Sequence, residues 1–187
     1  MDFTKLEISG LVLIAPKRVT DQRGYFAETY REEDFRARAG HVHFVQENQS
    51  LSVATGTIRG LHFQVAPFAQ GKLVRCLAGS LYDVAVDLRS GSPTFGRSAA
   101  VTLSAETGTQ LWIPPGFAHG FCTLEPNSVI SYKVTAYYNA GSDCGLAWDD
   151  PKLGIDWPAC ANPDTLSAKD RVHTALAVLP RHFDAEA

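Results

Sequence analysis

The sequence lacks the features that would assign it to a membrane, to a nucleic acid or to an export route. Its 187 residues contain no run close to the ~20 apolar residues needed to cross a bilayer. The formal net charge is −3, which excludes a strongly basic surface for nucleic acid but permits a local basic pocket for a small anion. Asp2, Lys5 and Glu7 precede any apolar run, which predicts that there is no signal peptide.

Paired cysteines, internal repeats and low-complexity segments are also missing. The four cysteines (Cys76, Cys122, Cys144 and Cys160) are far apart and form no Cys-x-x-Cys pair. We therefore expect buried free thiols in a reducing cytoplasm rather than a zinc or redox framework. Hydrophobic residues make up 45% of the chain, so one core of ordinary size is expected within a single domain spanning residues 1–187.

Short apolar runs separated by Gly, Pro, Asn and Asp predict an all-β fold. The predicted strands are 11–15, 44–50, 73–76, 81–87, 99–103, 110–113, 119–123 and 129–134. Residues 89–94 and 125–128 have the composition of turns. A short helix is predicted at 32–39, where acidic residues come first, arginines follow and Gly40 ends the run. From about residue 150 the chain becomes irregular and is expected to pack on the barrel, with Ser167 capping a terminal helical turn.

The two halves of a β-barrel metal-site pattern are present, but the first half lacks ligands. The cupin pattern requires Gly-x5-His-x-His and a Glu seven residues before a Gly, then Gly-x5-Pro-x-Gly-x2-His. The second half is complete, at Gly108, Pro114, Gly116 and His119. In the first half Gly56 and His62 fit, whereas Gln64 replaces the second His and Lys72 replaces the Glu. An ammonium group opposes a divalent cation there, so the sequence predicts a metal-free pocket with a basic cluster.

The predicted strand 81–87 alternates in character, so that Asp83 lies on the face opposite to Tyr82 and Val84. If that face points into the barrel, Asp83 is a candidate to orient His119. A carboxylate that simply faces water is the equally weighted alternative.

Further segments extend this pattern along the chain. They are Asp21-x-Arg23-Gly24-x-Phe26-x-Glu28, Gln46-x-Asn48, Arg59-Gly60-Leu61-His62-Phe63-Gln64, Gln70-Gly71-Lys72-Leu73-Val74, Asp83-Val84-x-Val86-Asp87-x-Arg89, Ser92-Pro93-Thr94, Pro114-x-Gly116-Phe117-Ala118-His119-Gly120-Phe121, Tyr132, Tyr137-Tyr138 and Leu166-Ser167-x-Lys169-Asp170. In this order they resemble the dTDP-4-dehydrorhamnose 3,5-epimerase family, from about residue 3 to about residue 180.

The resemblance implies a jelly-roll, cupin-like double-stranded β-helix that uses neither metal nor cofactor. It also implies a homodimer in which N-terminal strands are exchanged between subunits. The implied substrate is a dTDP-linked 4-keto-6-deoxyhexose, inverted at the carbons that flank the ketone. The chain departs from the family in two places. Residues 46–49 read Gln-Glu-Asn-Gln where the family often has Gln-Asp-Asn-His, and Asp143 stands where Glu is more usual. Both are expected near the substrate, which leaves open the preferred sugar and the number of carbons inverted.

Epimerisation beside a ketone needs a base, stabilisation of the enolate and an acid on the opposite face. His62 is the predicted base, because an imidazole with a pKa near ~6.5 suits proton abstraction at neutral pH. Lys72 is expected to bring a positive charge near the keto oxygen. By resemblance, Asp170 holds His62 in one tautomer and Tyr132 is the opposite acid. The alternatives are a structural histidine, a surface carboxylate and a phenol that only fills the core.

The remaining site residues are predicted to bind the substrate. Arg59 and His119 are expected to reach the same pocket and donate to keto or diphosphate oxygens. The resemblance implies that Tyr138 stacks on the thymine ring, although Tyr137 could exchange roles with Tyr138 or Tyr132. It also implies nucleotide or phosphate contacts for Arg23, Phe26, Glu28, Gln46, Asn48, Asp143 and Lys169.

Three other functions stay open at this point. The chain could be a mono-epimerase that inverts only one carbon of a related dTDP-sugar. It could be a metal-dependent cupin enzyme, although its ligand set is poor. It could also be a sugar-binding cupin without catalysis, against which the combination of His62, Lys72, Tyr132 and Asp170 argues.

Overall fold

The computed structural model describes residues 1–185, so the last two residues of the predicted domain lie outside the described part. In chain order the strands are β1 Asp2–Lys5, β2 Val12–Ala15, β3 Arg18–Asp21, β4 Gly24–Ala27, β5 Gln46–Ser52, β6 Ile58–Gln64, β7 Lys72–Ala78, β8 Ser80–Asp87, β9 Arg89–Ser90, β10 Ser98–Ser104, β11 Gln110–Ile113, β12 Phe117–Thr123, β13 Ser128–Val134, β14 Asp143–Gly145 and β15 Phe183–Asp184. The α-helix, α1, is Glu32–Arg38, and 3-10 turns lie at Pro151–Leu153, Pro163–Thr165, Asp170–Val172 and Leu176–Val178.

Two antiparallel sheets form the barrel. One contains β1, β2, β11, β7, β13 and β5 in that order, and the other contains β10, β8, β12, β6 and β14. The core between them is apolar, with Val74 and Ile130 from the first sheet packing in one cluster with Ala85 and Phe121 from the second. The protein therefore has the all-β, jelly-roll double-stranded β-helix predicted from the sequence.

The secondary-structure predictions are correct for the long alternating runs and for the helix, which ends one residue early, at Arg38. Strand β6 was not predicted, because it is buried on both faces and carries Gly60 and the polar residues His62 and Gln64, so its pattern does not alternate. Arg89 and Ser90, predicted as part of a turn, instead form β9 and pair with the distant β15. Local composition cannot reveal such a partner.

The cysteine prediction is partly wrong. All four thiols are free, and Cys76 and Cys122 are buried, but Cys144 is half-buried and Cys160 is exposed. Cys160 belongs to the C-terminal segment (residues 150–185). Among the described residues, no helix has the length and apolar character required to span a membrane.

The C-terminal segment is anchored beside β6 and delivers residues to the barrel interior. Leu166 packs with Ile58 and Cys122, and the backbone N–H of Asn162 donates to the carbonyl of Gly56 at 2.9 Å. The Ser167 hydroxyl accepts a hydrogen bond from the N–H of Asp170 at 3.1 Å, which is the predicted cap of a short helical turn. This packing holds residues 165–170 next to the polar face of β6.

Candidate active site

A cavity of about 360 Å³ opens where β6, β7, β13 and the C-terminal segment meet. Its lining includes most of the residues predicted from the sequence, namely Asn48, Arg59, His62, Lys72, Tyr132, Tyr138, Asp143, Lys169 and Asp170. Thr165 and Ser167, which had no predicted role in the pocket, also line it. The two sheets and the C-terminal segment thus contribute to one polar site.

His62 and Asp170 form a hydrogen-bonded pair in this cavity. His62 Nε2 lies 2.7 Å from Asp170 Oδ1, and the N–H of Gly60 donates to Asp170 Oδ2 at 3.3 Å. Burial raises the pKa of the Asp170 carboxyl, but the hydrogen bonds from His62 and Gly60 outweigh it and hold that pKa below its usual value. An ionised carboxylate only accepts, so the proton of neutral His62 lies on Nε2 and Nδ1 is left to take another.

The close approach of β6 to β12 depends on glycine. Gly60 has a φ of +123°, and a Cβ at this position would lie 2.6 Å from the Cα of Gly120 and 2.9 Å from the oxygen of His119. A side chain would separate the two strands and move the Gly60 N–H away from Asp170. The glycine of the Arg-Gly-Leu-His sequence is therefore required by the geometry of the pair.

Lys72 is buried beside this pair, at 8% exposure. Its Nζ donates to the backbone oxygen of His62 at 3.3 Å. Burial lowers the pKa of Lys72 to about 8, while the charges of Asp143 and Asp83 act in the opposite direction. The group is mostly protonated at pH 7 and supplies a poorly hydrated positive charge inside the site.

Tyr132 faces the cavity from β13, in the sheet opposite to that of His62. Burial raises the pKa of its phenol, opposed by the charge of Arg59 and a hydrogen bond with Asn48. The hydroxyl therefore keeps its proton at neutral pH. A proton acceptor and a proton donor approach the cavity from two different sheets.

The outer part of the cavity carries both charged and aromatic groups. Arg59 donates to Ser52 Oγ and to the carbonyl of Leu51, each at 3.1 Å, and has no carboxylate partner among residues 1–185. Lys169 pairs with Asp143 Oδ2, which also accepts from the Tyr138 hydroxyl at 3.1 Å. The ring of Tyr138 is 60% exposed. A flat, accessible ring next to an arginine and a lysine can bind a base joined to phosphate groups.

The structure does not bring His119 to the cavity lining. It lies on β12 directly opposite His62 in the strand register, is 6% exposed, and its Nε2 lies 2.9 Å from Asp83 Oδ2. Burial lowers the pKa of His119, and the nearby charge of Asp83 acts against that. Asp83 thus points inward and orients His119, the first of the two possibilities left open by the sequence.

Two further expectations need correction along β5. Gln46 does not line the cavity; its amide donates to Asn48 Oδ1 at 2.7 Å and accepts from the N–H of Tyr138 at 3.2 Å, so it connects two lining residues. Glu47 points to the opposite face, where it accepts from Ser131 and Lys133 at 2.7 Å each. Because side chains alternate along a strand, the departure at Glu47 does not reach the pocket.

Arg23, Phe26 and Glu28 lie on or next to the β3–β4 hairpin and are not brought to the cavity of the same chain. Phe26 is 74% exposed. Arg23 pairs with Asp21 at 2.5 Å and Glu28 pairs with Arg31 at 2.9 Å. Their predicted contacts with nucleotide would require another chain.

Gln64 lines the cavity and His173 lies beside His62, although the sequence did not predict either as a site residue. The Gln64 amide donates to the carbonyls of Phe68 at 2.7 Å and Tyr137 at 3.1 Å, and accepts from the N–H of Asn139 at 2.8 Å. It thereby fixes the loop that carries Tyr138, although the cupin pattern indicated only a lost ligand. His173 lies with its ring 5.6 Å from that of His62, and no local signal in an irregular segment pointed to it.

Comparisons with known proteins agree with this arrangement. The sequence pattern of the family described as dTDP-4-dehydrorhamnose 3,5-epimerase matches residues 5–177. The dTDP-4-dehydrorhamnose 3,5-epimerase of Sinorhizobium fredii is 55% identical over 98% of this chain and 93% of its own length. A crystal structure of the Legionella pneumophila 3,5-epimerase with dTDP-4-keto-L-rhamnose is 40% identical, with a TM-score of 0.92 over 100% of this chain and 99% of the other.

A 3'-monoepimerase from Streptomyces bikiniensis, in complex with dTDP-quinovose, is also similar but less so. It is 34% identical, with a TM-score of 0.86 over 92% of this chain and 87% of the other. The match of the sequence pattern to most of the chain, the identity to the Sinorhizobium fredii enzyme and the shared fold agree with one another. The chain belongs to the dTDP-4-dehydrorhamnose 3,5-epimerase family.

Proposed function

We propose that this chain is an isomerase that inverts C3 and C5 of dTDP-4-keto-6-deoxy-D-glucose and so produces dTDP-4-keto-L-rhamnose. The observation that carries the proposal is the His62–Asp170 pair at 2.7 Å, which shares one cavity with Tyr132 of the other sheet. The names of the more similar relatives favour inversion at two carbons over the mono-epimerase alternative.

In the proposed mechanism His62 Nδ1 removes the proton next to the ketone, and the electron pair moves to the keto oxygen. Asp170 stabilises the imidazolium that forms, and general-base assistance of this kind contributes roughly 10²–10⁴-fold. The ammonium of Lys72 stabilises the enolate oxygen, where charge develops in the transition state. Tyr132 then donates its proton to the same carbon from the other sheet, which inverts the carbon. The imidazolium of His62 releases its proton to water and the tyrosinate takes one from water, so both groups return to their starting state.

The charges of the cavity favour an anionic substrate. Arg59, Lys72 and Lys169 are positive, against the carboxylates of Asp143 and Asp170. Arg59 has no carboxylate partner among the described residues, and the N–H groups that do not bond to Ser52 and Leu51 can bind a diphosphate. Tyr138 at the rim suits stacking on the thymine ring, and Asn48 and Lys169 suit contacts with sugar and phosphate oxygens.

Arg23, Phe26 and Glu28 are proposed to act in the cavity of a second subunit, in a homodimer with exchanged N-terminal strands. Support comes from the β3–β4 hairpin, which exposes Val19 at 62%, Tyr25 at 58% and Phe26 at 74%. An isolated two-stranded hairpin with exposed apolar side chains is unstable in water unless it packs on another surface.

The proposed function also includes a single domain, a cytoplasmic location in keeping with four free thiols, and no membrane or nucleic-acid partner.

Subunit mixing tests the exchange. His62→Ala and Phe26→Ala homodimers are each expected to be weak, because each lacks one part of every site. With exchange, a mixed dimer contains one site with both substitutions and one intact site, so random reassortment restores about one quarter of wild-type activity. If the mixture is no more active than its components, the strands are not exchanged.

Deuterium wash-in tests the reaction itself. In D2O, the substrate is expected to gain deuterium at both C3 and C5, measured by NMR, without added metal or cofactor. Uptake at one carbon identifies a mono-epimerase, and a bound sugar nucleotide without uptake identifies a binding protein. Activity that disappears on treatment with a chelator and returns with one metal would indicate a metal-dependent cupin.

A further inference from the structure

We propose that His62, Asp170 and His173 form a binding site for a divalent transition-metal ion such as Zn²⁺, and that the ion inhibits the enzyme. The inhibitory part rests on the proposed function, because it requires His62 to act as the base. The binding part does not.

His173 lies against His62 because the neighbouring position on β14 is a glycine, which has no side chain. Gly145 is the strand partner of His62, and a Cβ at Gly145 would overlap the ring of His173. The imidazole therefore occupies the space that a side chain at position 145 would fill. Its ring is perpendicular to that of His62, with 5.6 Å between the centroids. The backbone fixes this position, since the N–H of Ala147 donates to the carbonyl of Thr174 at 2.8 Å.

The three side chains bring metal-binding atoms together. His62, Asp170 and His173 each offer one ligand atom, and these three atoms lie within 4.8 Å of one another. In residues 1–185 this is the group of three possible ligands that lies close enough together to hold one ion. Two imidazoles and one carboxylate on one side of an ion form the facial set that first-row divalent metals accept, with open positions for water. Zinc requires its ligand atoms at about 2.0–2.2 Å, so binding must draw these three atoms closer around one ion.

The nitrogens of His173 support this assignment. Both are buried, and neither has a hydrogen-bond partner among the described side chains and backbone groups. An unpaired buried nitrogen is costly and calls for a ligand or a specific role. His173 does not line the substrate cavity, so substrate contact does not supply that role.

The proposed site differs from the cupin metal position. An ion at the cupin position would be bound by both His62 and His119. In this protein His119 Nε2 is hydrogen-bonded to Asp83, and Lys72 replaces the acidic ligand. The ammonium groups of Lys72 and Lys169 oppose a cation near Asp170, so binding should be weaker than at a structural zinc site. An ion held by His62 removes the lone pair needed for proton abstraction, which makes it an inhibitor.

Zinc titration of the full-length, metal-stripped protein tests the proposal. Zn²⁺ alone is added, binding is measured by competition with a chromophoric chelator, and deuterium uptake into the substrate is followed separately. We expect one Zn²⁺ per chain, loss of uptake in parallel with binding, and recovery with EDTA. The main variant is His173→Phe, which keeps a ring against Gly145 but removes both nitrogens. His43→Phe, at an exposed histidine outside the cluster, is the matched control.

His173→Phe should keep the basal exchange rate but bind Zn²⁺ more weakly by more than about 10-fold, the loss typical of removing even an outer-shell partner. His43→Phe should behave like the wild type. His173→Asn replaces the phenylalanine variant if the latter does not fold. The proposal is overturned if the wild type binds no Zn²⁺, or if the substitutions at 173 and 43 change binding equally. If metal-free wild type catalyses no exchange, the proposed function fails while zinc binding is still measured.

Discussion

Two histidine–carboxylate pairs lie side by side in the barrel, His62–Asp170 and His119–Asp83. The histidines are direct partners across β6 and β12, and the nitrogen–oxygen distances are similar, at 2.7 and 2.9 Å. They differ in access, because the His62 side chain is 35% exposed and the His119 side chain is 7% exposed. Access to the cavity therefore suits one pair to the proposed catalytic role and leaves the other with a structural role.

The carboxylates also differ in origin. Asp83 lies on β8, the strand next to β12, so the sheet itself places it beside His119. Asp170 comes from an irregular segment that must dock on β6 before the pair can form. The accessible pair thus depends on long-range packing, whereas the buried pair is built into the sheet.

The largest expected difference between the two pairs is in the effect of replacing the carboxylate of each. Asp170→Asn is expected to lower kcat by about 10²-fold or more, because the imidazole loses its fixed tautomer and the charge that stabilises its protonated form. Asp83→Asn should instead destabilise the fold by about 1–3 kcal/mol, since it weakens a buried contact. Chemical denaturation and steady-state kinetics on both variants measure the two effects. Equal losses of kcat would contradict the distinction.

Lys72 lies near both pairs. Its buried charge should destabilise the folded protein although it supports activity. Its pKa is lowered by burial from 10.5 to about 8, so between these two pH values the unfolded chain binds more protons and stability rises with pH. Lys72→Met should therefore stabilise the protein at pH 7 by on the order of 1–3 kcal/mol. That gain should shrink from pH 8 to 10.5, and exchange activity should be lost.

Thermal unfolding at pH 7 and pH 10 measures the Lys72 effect, with Lys72→Arg as the control that keeps the charge. An increase in stability that is the same at both pH values would mean that the buried charge is not its cause. In the wild type, activity should fall as the pH rises through about 8, because the positive charge near the keto oxygen is then lost.

The smallest effect is expected at Glu47, on the face of β5 that points away from the cavity. Glu47→Asp introduces the residue more usual in the family, but its shorter side chain weakens the contacts to Ser131 and Lys133. We expect a change in stability below about 1 kcal/mol and no change in kcat/KM. Asp143→Glu, at the cavity rim, is the comparison variant and should change KM. An altered KM in Glu47→Asp would show that the strand face has been misassigned.

The sequence predicts the barrel well because its long strands alternate and its turns contain Gly and Pro. It also identifies His62 and Lys72, since both occupy positions of a spaced motif. It does not reveal β6, which is buried on both faces, and it leaves Asp83 undecided because alternation does not say which face is inward. The contacts of Asp170 and His173 with His62 depend on how a distant segment docks. The proposed roles of Arg23, Phe26 and Glu28 depend on a second subunit, which the pattern of one chain does not describe.

Deuterium exchange in His62→Ala and Tyr132→Phe tests the central claim most directly, since these residues line the cavity from opposite sheets and are the proposed base and acid. Without its base, the enzyme should incorporate no deuterium at C3 or C5. Without the opposite acid, inversion should stop, while His62 still exchanges the proton it removes and labels recovered substrate. Full exchange in His62→Ala, or normal inversion in Tyr132→Phe, would contradict this account of the site.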